Sequence, residues 1–140
     1  MNTIVQTPIS ESVTLIAADS YRIAATRYPA QGQLNGHLIV AGAPGVRQDY
    51  YRRFAEYASG EGFTTLTLDY RGIGQSRPAT LKGFDGSYLD WARLDLAAAV
   101  EAMASDTVPL FMVGHSFGGH AFGLLPNHQR VARFYTFATG

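Results

Sequence analysis

Leu110-Phe111-Met112-Val113-Gly114-His115-Ser116-Phe117-Gly118-Gly119 is the stretch on which the reading of this chain turns. Leu110 to Val113 is short and wholly apolar, as a strand buried on both faces must be. A Gly-x-Ser-x-Gly turn follows at once, and Phe117 to Leu125 then reads as a helix ended by Pro126. In a chain with 15 glycines the motif alone says little; its strand–turn–helix setting carries the signal. The glycines have a mechanical reason. A serine in so tight a turn is strained, and a side chain two residues before or after it would strike the neighbouring strand or helix.

Working outward, the hydrophobic period switches repeatedly between strand and helix. Val13, Leu15 and Ala17 alternate with polar residues, as do Tyr21, Ile23 and Ala25, with Asp19-Ser20 between them, so an antiparallel hairpin is expected. Leu38 to Ala41 reads as a buried parallel strand. Tyr51, Phe54, Ala55 and Ala58 recur at helical spacing, and Gly60 and Gly62 stop that helix. Phe63 to Asp69 is a further strand, followed by a glycine-rich loop from Tyr70 to about Gly86. Ser87 and Asp90 form a capping-box start for a long helix whose inner face is Leu89, Ala92, Leu96, Ala99 and Met103. Val131 to Phe137 is the last strand. The pattern predicts one α/β domain over residues 1–140, a doubly wound, mostly parallel sheet with an N-terminal antiparallel hairpin. Sites in such sheets lie at the carboxyl ends of the strands.

At those ends the chemistry-bearing candidates are few. A serine hydroxyl is a weak nucleophile until a base takes its proton, and the tetrahedral intermediate needs donors for its oxygen. Ser116 is the candidate nucleophile, and the backbone N–H of Phe117, at the positive end of the helix starting there, is one candidate oxyanion donor. The loop Ala41-Gly42-Ala43-Pro44-Gly45 supplies the other: Gly42 permits close approach, Pro44 stiffens the turn, and the Ala43 N–H is the expected donor. The alternative is a turn that needs glycine and proline for shape alone.

The stretch from Ala41 to Phe137 resembles bacterial hydrolases of the α/β-hydrolase superfamily, in the serine aminopeptidase and lysophospholipase-like group. Three segments carry the resemblance. Ala41-Gly42-Ala43-Pro44 matches that group's His-Gly-x-Pro loop, with alanine in place of histidine. Asp69-Tyr70-Arg71-Gly72-Ile73-Gly74-Gln75-Ser76 matches its Asp-x-Arg-Gly-x-Gly-x-Ser segment, and Gly114 to Gly119 matches the elbow. The resemblance implies a serine hydrolase acting on an ester, thioester or amide of a small molecule through a Ser116 acyl-enzyme. The group's catalytic acid follows the nucleophile, so Asp69 is expected to be structural, accepting N–H groups of its own loop.

The same resemblance implies a triad in the order Ser, Asp or Glu, His. Only 24 residues follow Ser116, and none is acidic. His120 and His128 do follow, the former on the helix away from which the elbow aims its hydroxyl. His115 is expected to pack. The group's usual size implies that this chain is the N-terminal portion of the fold, ending near the sixth strand and before the catalytic acid and base. An inactive hydrolase-like fragment or a binding protein is the alternative. The last strand would then be an open, aromatic sheet edge suited to self-association.

Composition narrows the partners. Net charge is zero, pI is about 6.9 and the single lysine is Lys82, so no basic stripe invites nucleic acid. Without cysteine there is neither a disulfide nor a thiolate metal site, and no cofactor or metal is expected. No apolar run approaches the roughly 18–20 residues of a membrane span, and the N-terminal residues carry no leader pattern, so a cytoplasmic protein is expected.

Overall fold

In the computed structural model, residues 9–138 are described. Six strands form one sheet in the order β1-β2-β4-β3-β5-β6. β1 (Glu11–Ile16) and β2 (Arg22–Tyr28) are the expected antiparallel hairpin, with Val13 opposite Ala25 and Leu15 opposite Ile23. β2 continues antiparallel against β4 (Phe63–Leu68). β3 (Gly36–Ala41), β5 (Leu110–His115) and β6 (Arg133–Phe137) then extend the sheet in parallel.

Helix α1 (Arg52–Gly60) covers one face of the sheet through Ala55 and Ala58, while Phe54 stays 43% exposed despite its place in the expected stripe. Gly62, at φ 93°, lets the chain leave the helix and enter β4. The other face carries α2, residues 88–103. Its start is the expected capping box, with the Asp90 N–H on Ser87 Oγ at 3.3 Å and the Ser87 N–H on Asp90 Oδ2 at 3.1 Å.

α2 departs from the expected inner face at one residue. Ala92, Leu96, Ala99 and Met103 are buried against Ile39, Leu66 and Met112, but Leu89 is 44% exposed. The segment Trp91–Leu96 is π-helical, and its wider turns rotate the residues preceding it off the packed face. Val100 and the carboxylate of Asp95 join the core side instead.

After β5, α3 (Phe117–Ala121) tightens into a short 3₁₀ turn, Phe122–Leu124, before Pro126. Among the described residues β6 pairs only with β5, and it leaves Tyr135 and Phe137 half exposed while Phe134 turns inward to stack on Phe122 at 4.3 Å. No helix among the described residues is long and apolar enough to cross a membrane.

Candidate active site

Ser116 stands between β5 and α3 with φ 56° and ψ −114°, a backbone conformation that an L-residue adopts only at a cost. Two hydrogen bonds fix it. Its N–H donates to the Phe137 carbonyl at 3.1 Å, and its carbonyl accepts the Gly119 N–H at 2.9 Å. The glycines on either side are obligatory because α3 begins directly on the end of β3. A Cβ at Gly114 would lie 2.6 Å from the backbone of Gly118 and Gly119. A Cβ at Gly118 would overlap the carbonyl of Ala41, the residue opposite Gly114 in the sheet.

The loop after β3 lies beside this turn, and its brace is aromatic. Tyr70 Oη donates to the Gly42 carbonyl at 3.0 Å. The Ala43 N–H donates to Tyr51 Oη at 2.8 Å, and the same oxygen is 2.8 Å from His115 Nδ1. Tyr51 leaves no room for a side chain at position 42, where a Cβ would come within 2.7 Å of its ring. Both phenols are buried, and burial pushes both up from the ordinary tyrosine range, so they stay neutral. These two hydroxyls hold the loop that Ala41 leaves without a histidine. Neither was singled out from sequence: Tyr51 reads as one more apolar residue of a helix stripe, and Tyr70 as a neighbour of Asp69.

His115 packs, as its place in the turn suggested. Its ring stacks on Phe137 at 4.6 Å and faces Tyr50 at 6.3 Å. On the α1 side an open hollow of about 450 Å³ is lined by Val40, Tyr50, Tyr51, Phe54, Val113 and Phe137. On the opposite side Phe117 sits in an aromatic cluster with Tyr70, Tyr88 and Trp91, all with ring centroids within 6.1 Å of its own. His120 and His128 are exposed, and among the described residues no histidine ring is hydrogen-bonded to Ser116 Oγ.

The Asp69–Ser76 loop is structural. Asp69 is buried and accepts from the Gln48 N–H at 2.8 Å, Gln48 Nε2 at 3.1 Å and the Gln75 N–H at 3.0 Å, tying its own loop to the entry of α1. Arg71 is buried between two carboxylates. Nε and the backbone N–H each reach Asp95 at 2.8 Å, while Nη1 and Nη2 grip Asp19 at 2.6 and 3.0 Å. The Arg71 bonds hold Asp19 below the usual carboxylate range, whereas burial pushes Asp95 above it. The clamp joins the β1–β2 turn, the β4 exit and α2.

A mostly parallel sheet with an antiparallel opening and a strained serine turn at the end of its fifth strand defines the α/β-hydrolase fold. Within that class the chain belongs to the family described as serine aminopeptidase, S33, whose model matches residues 38–135. Its structure is similar to a thermostable carboxyl esterase from Bacillus coagulans, with TM-score 0.73 and 18% identity over 93% of this chain and 44% of that one. It is similar to a monoglyceride lipase from Saccharomyces cerevisiae, with TM-score 0.72 and 22% identity over 97% of this chain and 45% of that one. It is also similar to the bottromycin epimerase BotH, with TM-score 0.70 and 18% identity over 92% and 49%. Likeness at these identities shows the fold, and an esterase, a lipase and an epimerase on one scaffold show that the fold does not fix the reaction. The chain spans less than half the length of each. No curated protein matches the sequence.

Proposed function

We propose that this chain carries the nucleophile half of a serine hydrolase acting on a small-molecule ester, thioester or amide. The observation that carries the proposal is the backbone of Ser116, held at φ 56° by flanking glycines that tolerate no side chain. Strain of this kind, costing on the order of 1–3 kcal/mol, persists where exposing the hydroxyl is worth more than local stability. In the proposed reaction Ser116 Oγ attacks the carbonyl carbon as a base takes its proton. The Phe117 N–H and the Ala43 corner of the loop face the oxyanion, and the leaving group departs with the proton, leaving an acyl-serine for water to cleave.

The base and its acid would come from the rest of the fold, of which this chain spans less than half in the structures it resembles. The proposal includes two features that rest on sequence and edge geometry: a cytoplasmic setting, and self-association through the open β6 edge. A fluorophosphonate probe tests its centre. The expected result is a covalent adduct at Ser116, slow without the base, that disappears in Ser116→Ala. A chain folded by circular dichroism that takes no label sinks the acyl-enzyme reading for this chain. That outcome would favour the second reading, a hydrolase-like fragment that binds without catalysing.

A further inference from the structure

The nitrogen that sequence assigns to the oxyanion is already engaged. The Ala43 N–H donates to Tyr51 Oη at 2.8 Å, so its one hydrogen is taken by that hydroxyl. Tyr51 cannot readily give way. It is 6% exposed, packed edge-on against Tyr50 and His115, and seated so close to Gly42 that no Cβ would fit between them. The hydrogen this corner of the loop can offer is therefore the phenolic one.

Counting hydrogens shows how it would be offered. The Ala43 N–H can only donate, so it uses one lone pair of Tyr51 Oη. The contact with His115 Nδ1 runs either way, according to the tautomer of the ring. With the proton on Nε2, Nδ1 accepts the phenolic hydrogen and every group is satisfied. With the proton on Nδ1, the phenol accepts twice and its own hydrogen is free to turn to a new acceptor. Accepting two hydrogen bonds polarises the O–H and strengthens it as a donor.

We infer that Tyr51 is the second oxyanion donor of this site, its hydroxyl positioned by the Ala43 N–H and by His115 Nδ1. The inference rests on Ser116 being the nucleophile. It assigns Ala43 and His115 as positioning residues, and it accounts for a histidine in the variable position of the serine turn.

The test is the rate of fluorophosphonate labelling at Ser116, because the phosphonyl oxygen enters the same oxyanion position. Loss of one oxyanion donor typically costs about 10²–10³-fold in rate, so Tyr51→Phe should label that much more slowly while keeping a cooperative thermal transition. Where Tyr51→Phe does not fold, 3-fluorotyrosine placed at position 51 replaces it. The more acidic phenol is nearly isosteric and should change the labelling rate several-fold, which a purely structural hydroxyl would not. Labelling of Tyr51→Phe as fast as wild type or faster overturns the inference, since it would mean that removing the hydroxyl frees the Ala43 N–H. A rate that 3-fluorotyrosine does not alter overturns it equally. If the wild-type chain takes no label, the Ser116 reading itself has failed and the donor assignment falls with it.

Discussion

Gly118 packs on Ala41 so closely that one added carbon at position 118 would overlap the Ala41 carbonyl oxygen. Both atoms involved would be backbone or fixed to it, so no side chain can swing away. Gly118→Ala must therefore move α3 off the end of β3. The expected loss is at or above about 3 kcal/mol, the upper part of the range for overpacked sites. Urea denaturation measures it; a loss under 1 kcal/mol would show that α3 shifts freely.

Ser116 gives the opposite sign. Its positive φ costs on the order of 1–3 kcal/mol as serine and little as glycine, while glycine loses somewhat more entropy on folding. Ser116→Gly should raise unfolding free energy by about 1 kcal/mol, whereas Ser116→Ala keeps the strain and should not. Equal stability of the two variants would contradict a strained serine.

Arg71 is the charge whose removal should be most costly, because it would leave the buried carboxylate of Asp95 with no opposite charge and only the backbone N–H of position 71 as a donor. Arg71→Leu is expected to lose about 3–5 kcal/mol at neutral pH. The sign with pH follows from the carboxylates. In the native protein Asp19, held low, contributes stability above the ordinary carboxylate range and loses it as pH falls through its own lower value. Asp95, already pushed up by burial, would rise further without Arg71, so the variant regains stability on acidification as that carboxylate protonates. The gap between variant and wild type should narrow between pH 7 and pH 5. Urea unfolding at both values checks this, and a gap that widens on acidification refutes it.

Among the described residues the outer edge of β6 has no strand partner beside Tyr135 and Phe137, which are 60% and 47% exposed. Such an edge pairs readily with another copy. Concentration-dependent growth in mass is expected by light scattering, and Tyr135→Lys should abolish it by placing a charge on the edge. A wild-type chain that stays monomeric at high concentration would exclude this surface.

The order of elements was legible in the sequence because each is set by local rules. The period of two in Val13–Leu15, the four apolar residues before Gly114, and the Ser87–Asp90 cap all act within a few positions. The strained turn at Ser116 was legible for the same reason: only glycine at 114 and 118 lets a helix begin on a strand end. The structural role of Asp69 follows only in part from its own loop: the Gln75 N–H is local, while its other two donors are both on Gln48, 21 positions away.

What tertiary structure alone decided lies between residues far apart in the chain. Leu89 left the core because the π-helical turns beyond it change the register, and nothing near Leu89 announces them. Arg71 found Asp19 and Asp95, separated by 52 and 24 positions, because burial makes an unpaired charge too costly to leave. Tyr51 reached Ala43 and His115 across 8 and 64 positions, turning a stripe residue into the brace of the site. Gly114-His115-Ser116-Phe117-Gly118 by itself determines where the strained serine stands, since backbone sterics are local. Which hydrogen would face it depends on the hydroxyl that the fold brings to Ala43, and only packing can settle that.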